Sequence, residues 1–241
     1  MSLRLHLKEL KYRVLISFSV WIVLSFCCYF FYDFFIFLLL NPFSEIDTLF
    51  SDKLYVSSIF EGFFTKLKCS LFFGFITAFP FLLFHFLRFI FPALKGHERR
   101  FLFLLIFPSF ALSLLGIYLM YFIILPYTIP LLTSSVFVPD NIGLLLHFHD
   151  SIFYIIQFIF LAMLLFQFPI LLLILIYFNC FTYTQLFKFS RYVVVFIFIA
   201  SAFLTPPDLI SQLSFALPLI VMFFTSLLIA KIFGLGERYR V

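Results

Sequence analysis

The uncharged stretch Ile152–Phe178, IFYIIQFIFLAMLLFQFPILLLILIYF, decides the fold class of this 241-residue chain. It is longer than the roughly 20 predominantly apolar residues that an α-helix needs to cross a bilayer. Comparable stretches lie on both sides of it, and across the chain 65% of residues are hydrophobic and only 11% are charged. A soluble domain carries far more charge than this. The sequence therefore predicts an integral membrane protein.

Apolar stretches between charges and prolines predict an all-α bundle of six transmembrane helices in a single domain, residues 1–241. A basic amphipathic segment, 1–13, comes first and predicts an interfacial helix. We expect the third helix to break at Pro126, because the uncharged run that starts at Phe101 is too long for one crossing. The six predicted spans cover about 14–40, 67–88, 101–125, 152–178, 192–204 and 209–230.

The fifth apolar stretch is shorter than the others. Only 13 residues lie between Arg191 and Thr205, and they reach roughly 20 Å at the rise of an α-helix. The hydrocarbon core of a bilayer is about 30 Å thick. We therefore expect helices 5 and 6 to be short, with either a locally thin bilayer or an Arg191 side chain that reaches out to the headgroups.

The basic residues are divided unequally between the two sides of this topology. Of the 16 Lys and Arg residues, Lys53, Lys66 and Lys68 fall on one side and the others fall on the opposite side. Lys and Arg collect on the side from which a chain inserts. We therefore expect both termini on the cytoplasmic or matrix side of the membrane.

No pattern in the sequence indicates a metal, a disulfide framework or a catalytic site. The four cysteines form no C-x-x-C pair, and His147 and His149 are two residues apart with no third ligand near them in sequence. A P-loop and a G-x-S-x-G nucleophile elbow are absent as well. The expectation is a protein without cofactor, metal or enzymatic activity.

Two acids stand among the basic residues of the expected inner side. Glu9 lies four residues before Arg13, a spacing that favours an ordinary surface ion pair on a helix. Glu98 lies near the predicted start of the third helix, where the helix dipole favours an acid. The residues alone therefore give both acids a structural explanation.

Four motifs together resemble the TatC family, the polytopic core of the twin-arginine protein translocase. The family's H-L-x-E-L signature is matched by His6 to Leu10, and its F-x-x-P-A-L-x-x-H-E-R-R loop by Phe89 to Arg100. Its L-T-P-P-D-x-x-S-Q element is matched by Leu204 to Gln212, and Glu61 to Lys68 is similar to its first outer loop. The resemblance runs from the first helix to the last, and the family has six spans with both termini inside.

The resemblance implies that the chain is a signal-peptide receptor. Glu9 and Glu98 match the two acidic positions by which the family receives the arginine pair of a signal peptide, with Lys11 and Arg99 beside them. A carboxylate meets the planar guanidinium fork in a bidentate manner, which suits this task. Residues implied to dock single-span TatA-like or TatB-like partners are Gln167, Thr205 and Gln212, and those implied to shape the fold are Pro206, Pro207, Asp208 and Pro80.

Helix 4 departs from the family at one position. Gln167, in the sequence Phe166-Gln167-Phe168-Pro169, stands where the family commonly has a glutamate. An amide cannot titrate, so a proton relay at this position is excluded. Gln167 is expected to form a hydrogen bond inside the membrane, either to a partner helix or to a neighbouring helix of this chain.

The function implied by the resemblance is movement of folded proteins across an energised membrane by the proton motive force. The alternative is a secondary transporter or a respiratory-complex membrane subunit, which would need ionisable residues deep in the membrane. Asp33 and His85 lie near span ends and do not supply them. The 44 Phe residues beside one Trp suggest an AT-rich, organellar gene. We therefore expect a mitochondrial inner membrane, with a bacterial inner membrane as the alternative. For a mitochondrial protein, the resemblance implies a Rieske iron-sulfur protein as the leading cargo.

Overall fold

A computed structural model describes residues 3–43, 54–90, 96–134, 145–204 and 209–235 of the chain, and helices make up nearly all of this part. A 3₁₀ turn, Asn41–Phe43, follows the second helix. The α-helices are α1 (Leu3–Phe30), α2 (Tyr32–Leu40), α3 (Glu61–Ile90), α4 (Gly96–Leu104), α5 (Ile106–Leu119), α6 (Leu125–Thr133), α7 (Phe148–Leu165), α8 (Phe168–Tyr177), α9 (Tyr183–Leu204) and α10 (Leu209–Ile232).

In the described part of the chain, six helical stretches are long and apolar enough to cross a membrane, which confirms the predicted all-α fold with six spans. Within the described ranges no strand forms, and an isolated parallel bridge joins Tyr55 to His147. The six stretches are Lys11–Phe30, Glu61–His85, Arg100–Thr133, Phe148–Tyr177, Tyr183–Phe203 and Gln212–Ile232.

The second span begins earlier than its apolar pattern indicates. Helix α3 starts at Glu61, before the predicted start at residue 67, so Lys66 and Lys68 lie on the helix itself. Pro80 lies inside α3 without ending it. The fourth span ends as predicted, because Asn179 follows α8 in the left-handed conformation, with φ at 56°, that terminates many helices.

The third span continues through the prolines that were expected to end it. A π-helical turn, Met120–Ile124, joins α5 to α6, and its last bond runs from the Leu125 N–H to the Met120 carbonyl. A proline inside an α-helix removes one hydrogen bond, and its ring clashes with the carbonyl four residues earlier. The wider turn immediately before Pro126 changes the bonding pattern there, so the helix continues to Thr133. The predicted break at Pro126 is therefore wrong.

The fifth span is longer than its uncharged part. Helix α9 has 22 residues, which is about 33 Å at the rise of an α-helix. Its first turns carry Lys188 and Arg191, both exposed, and the uncharged part that follows is the short stretch seen in the sequence. The expected shortness therefore holds for the uncharged residues of helix 5 and not for the helix itself. It does not hold for helix 6, since α10 has 24 residues.

The contacts of the chain divide it into two compact units, and the first consists of Met1–Ala111 with Gly143–Gln157. Within it, α1 packs along α3. The Trp21 indole Nε1 donates to the Leu71 carbonyl at 2.9 Å. In α2, the Phe35 ring stacks on the Phe73 ring of α3 with centroids 4.0 Å apart. A Cβ at Gly74 would lie 2.5 Å from the Ser25 Cα, so only glycine permits this approach of the two backbones.

The second unit consists of Leu112–Ile142 with Phe158–Val241. In it α10 packs against α8, α9 and the π-helical turn. Phe223 and Leu227 of α10 are fully or almost fully buried, as is Met120 of the π-helical turn. Gly116 of α5 lies against the end of α7, since a Cβ there would be 3.0 Å from the Ala162 carbonyl and 2.8 Å from the ring of Phe166, which follows α7. Close packing of small and large side chains holds these helices together. The hydrophobic effect does not do so in a bilayer, because lipid tails are as apolar as the side chains.

Candidate functional site

The two acids expected to receive a signal peptide lie on helices of the first unit. Glu9 is in α1, two residues before the exposed Lys11, and Glu98 and Arg99 are in the short helix α4. The side chains of Glu9, Glu98 and Arg99 lie outside the described part of the structure. Their joint role as an arginine receptor stays a prediction.

Gln167 lies between α7 and α8, where the fourth span is interrupted by a turn. Its amide Nε2 donates to the Ser113 hydroxyl of α5 at 2.6 Å, and Ser113 is fully buried. A hydrogen bond between helices in a membrane contributes about 0.6–2 kcal/mol. Of the two roles left open by the sequence, the contact with a neighbouring helix of the same chain is the one formed here.

Of the other positions implied by the resemblance, two have described side chains. Gln212 of α10 donates through Nε2 to the Phe198 carbonyl of α9 at 3.1 Å, and so ties these two helices together near their connection. Pro80 is half-buried inside α3. Thr205, Pro206, Pro207 and Asp208 lie outside the described residues.

A polar cluster that the sequence did not predict joins the start of α3 to the start of α7. The Glu61 carboxylate accepts backbone N–H bonds from Ser57 and Ser58, and also one from His149 at 2.9 Å. It thereby satisfies two amides that precede α3 and one in the first turn of α7, where helix amides lack a partner within the helix. Beside it, the Tyr55 N–H donates to the Leu146 carbonyl and the Phe148 N–H donates to the Tyr55 carbonyl, each at 2.9 Å.

Both histidines of the segment contribute to this joint. The His147 Nδ1 lies 2.6 Å from the Ser57 hydroxyl. The His149 ring contacts two residues of α3, with Nδ1 at 2.8 Å from the Thr65 hydroxyl and Nε2 at 2.9 Å from the Lys68 ammonium. In the described part of the chain no group of three or more His, Cys, Asp or Glu could hold a metal ion. The hydrogen bonds of the cluster hold the start of α7 against the start of α3.

Aromatic rings cover the two lysines of α3. The Lys66 ammonium lies 4.4 Å from the centre of the Tyr29 ring and 5.2 Å from that of Tyr32. The Lys68 ammonium lies 4.4 Å from the centre of the Phe153 ring. The face of an aromatic ring attracts a cation, most strongly where water is partly excluded. These contacts explain how two positive charges remain on an otherwise apolar helix.

Part of this cluster has a recognisable pattern in the sequence. Ser57, Glu61 and Thr65 recur every four residues and Lys68 follows at three, which places polar groups on one face of a helix that begins there. The pairing with His147 and His149 joins residues more than 80 positions apart. No local pattern predicts such a pairing.

The match to known protein families covers almost the entire chain. The family model described as TatC, Sec-independent protein translocase protein, matches residues 5–218. The TatC protein of Carboxydothermus hydrogenoformans is 32% identical over 232 residues, which are 96% of this chain and 93% of that protein. The TatC protein of Rickettsia prowazekii is 29% identical over 234 residues, 95% of this chain and 92% of that protein.

A shorter match and a solved structure agree with these relatives. The TatC protein of Halothiobacillus neapolitanus is 33% identical over 134 residues, which are 54% of this chain and 35% of that protein. A crystal structure of the twin arginine translocase receptor TatC in DDM is similar with a TM-score of 0.77 and 31% identity. The likeness covers 93% of this chain and 98% of that one.

Proposed function

Because the chain belongs to the TatC family of Sec-independent protein translocase proteins, we propose that it is the core subunit and signal-peptide receptor of a twin-arginine translocase. The observation that carries this proposal is the agreement of sequence and fold over nearly the full chain. The protein is a multi-pass membrane component of protein transport. Its work is to bind, orient and assemble, while the proton motive force supplies the energy.

We infer that Glu9 and Glu98 hold the two arginines of the signal peptide on the basic side of the membrane, with Lys11 and Arg99 beside them. Glu9 and Glu98 lie in α1 and α4. One carboxylate for each guanidinium gives a matched count, and bidentate pairing distinguishes arginine from lysine. At headgroup depth water is partly excluded, so such pairs are stronger than at an open surface.

Docking of single-span TatA-like or TatB-like helices is proposed at the α9 and α10 connection. Gln212 supports this assignment, because its amide lies where these helices join and is only partly buried. Thr205 is proposed to contribute a second polar group, with Pro206, Pro207 and Asp208 shaping the loop. The Gln167 amide already donates a hydrogen bond to Ser113 of the same chain. Docking there requires that a partner side chain share or replace this bond.

We propose a mitochondrial inner membrane as the location and a Rieske iron-sulfur protein as the leading cargo. The support for an organellar gene is the composition, with 44 Phe and 1 Trp among 241 residues. Location of the native protein in purified mitochondria, by an antibody against its C-terminal segment, tests this placement. Detection in a bacterial inner membrane would contradict it.

The receptor proposal is tested by replacing Glu98 with Gln and, separately, Glu9 with Gln. Each change removes a charge while it keeps the shape and most hydrogen bonding. A charge-assisted hydrogen bond contributes roughly 1.5–3 kcal/mol, so the Kd for a twin-arginine signal peptide should rise about tenfold or more. The Kd is measured with a labelled peptide and the purified full chain in detergent.

Two controls separate a receptor from a structural acid. Asp33→Asn removes a different acid and should leave the Kd unchanged. A signal peptide with both arginines replaced by lysine keeps its charge but loses the planar fork, and should bind the native protein as weakly as Glu98→Gln binds the native peptide. If Glu98→Gln binds the native peptide as tightly as the unchanged protein, Glu98 only starts a helix and the assignment is wrong.

A further inference from the structure

The His149 side chain lies between two groups of α3 that together define which of its ring nitrogens carries a proton. Its Nε2 is 2.9 Å from the Lys68 ammonium, and its Nδ1 is 2.8 Å from the Thr65 hydroxyl. The Thr65 hydroxyl in turn donates to the Glu61 carbonyl at 2.8 Å. Thr65 is buried, and His149 and Lys68 are half-buried.

These three contacts are compatible with one neutral tautomer. An ammonium has three donors and no acceptor, so the His149 Nε2 must accept from Lys68 and carries no hydrogen. The hydrogen of the neutral ring is then on Nδ1, which donates to the Thr65 oxygen. Because Thr65 gives its one hydrogen to the Glu61 carbonyl, it can accept this bond. Both ring nitrogens of His149 and the Thr65 hydroxyl are then matched with a suitable partner.

A second proton on His149 destroys this arrangement. The imidazolium would direct an N–H at the Lys68 ammonium over the 2.9 Å contact, and two positive charges would face each other without an acceptor between them. Lys68 is held in place by the Phe153 ring, 4.4 Å from its nitrogen. This repulsion is relieved only when the His149 side chain moves away from α3. The movement disturbs the start of α7, where the His149 peptide N–H donates to Glu61.

We propose that His149 is a proton-binding site whose protonation releases the start of α7 from the start of α3. In the described part of the chain, the charged groups that face it from α3 are Lys68 and, through the His149 peptide N–H, Glu61. On its own segment it is flanked by Asp150, which is exposed, and by His147, which bonds Ser57. Lys66 lies over the Tyr29 and Tyr32 rings.

The physiological meaning of this site rests on the proposed function and sidedness. On that topology the joint lies on the outer side, from which protons re-enter an energised membrane. Unperturbed histidine changes charge between about pH 5 and 8, which is the range in which such a gradient acts. A signal peptide binds on the opposite side, so the site would respond to the proton concentration on the outer side and not to the binding of cargo.

The test is hydrogen exchange of the purified full chain in detergent, without signal peptide or partner. The amides to follow are those of Ser58, Phe148 and His149, whose acceptors belong to the joint. Between about pH 7.5 and 5.5, their protection factors, corrected for the intrinsic exchange rate, should fall by up to about tenfold as the joint opens. The amides of α10 should keep their protection over the same range. Carboxyl groups do not account for the fall, since an ordinary carboxyl titrates at about pH 4.3 and stays ionised here.

Three variants distinguish this site from a general acid effect. Lys68→Gln keeps a hydrogen-bond donor without the charge, so acidification should no longer reduce protection. Lys68→Arg keeps the charge and should keep the fall, and His149→Gln cannot titrate and should show none. A flat profile in the unchanged protein overturns the proposal, as does an equal fall in Lys68→Gln. If His149→Gln does not fold, the two Lys68 variants decide. Because no signal peptide is present, the result is independent of the receptor assignment.

Discussion

Gly74 is the position at which α1 and α3 leave no space for a side chain. A Cβ there would lie 2.1 Å from the Ser25 hydroxyl and 2.6 Å from the Ser25 backbone nitrogen. Because backbone atoms are involved, no change of rotamer can relieve the contact and α1 must move. We expect Gly74→Ala to lower the free energy of unfolding by about 1–3 kcal/mol, the usual cost of overpacking. Thermal unfolding of the purified protein in detergent measures the change.

Gly62 provides a matched control on the same helix. Nothing lies within 4 Å of a Cβ built at this residue. Alanine is favoured over glycine in a helix by about 1 kcal/mol, so Gly62→Ala should be neutral or slightly stabilising. If the two variants unfold at the same temperature, the close approach of α1 and α3 at Gly74 does not contribute to stability.

The π-helical turn Met120–Ile124 contains one residue more than an α-helical turn needs, and Phe122 in it is exposed. Deletion of Phe122 together with Pro126→Ala should convert the turn to α-helix and keep the residues of α6 on the same faces. We expect this double variant to fold and to elute as a single species in detergent.

Deletion of Leu114 with the same Pro126→Ala change is the corresponding control. Leu114 is also exposed, but it lies in the regular helix α5. Its loss rotates everything beyond it by about 100°, which turns the buried faces of the π-helical turn and α6 away from their neighbours. The Leu114 deletion should therefore not give a single folded species in detergent. If both deletion variants fold, or if neither does, the extra residue of the π-helical turn is not what allows the helix to continue past Pro126.

The unequal charge of the two sides predicts how the protein is oriented. Tags at Met1 and Val241 should react with an impermeant label only from the cytoplasmic or matrix side, and a tag at Asp140 only from the other side. Labelling of sealed and of permeabilised membranes measures accessibility and shows that each tag is reactive. A Val241 tag that reacts only from the far side would contradict the even number of spans.

The number of spans and their helical type followed from the sequence, because hydrophobic length is a local property. The ends of the helices followed less well. Pro126 was expected to stop the third span, but a change of hydrogen-bonding pattern over the preceding turn accommodates it. Arg191 was expected to mark a helix start, but an exposed cation at a membrane surface does not interrupt a helix.

The candidate sites were predictable to different degrees. Gln167 was recognised as a polar group that needs a partner, and the bond to Ser113 provides one. The joint of Glu61 with His149 was not recognised, since it depends on two segments that only the fold brings together. Glu9 and Glu98 were identified by a resemblance, because charge spacing alone gave each an ordinary structural role.

The chain's single tryptophan lies in the contact between α1 and α3. The indole of Trp21 is hydrogen-bonded to the Leu71 carbonyl and meets the rings of Phe18 and Phe75 edge to face. The wavelength of its fluorescence emission maximum depends on this bond and on the polarity around the ring. The unlabelled protein therefore carries an optical reporter of one helix pair, and any event that separates α1 from α3 becomes visible as a change in tryptophan fluorescence.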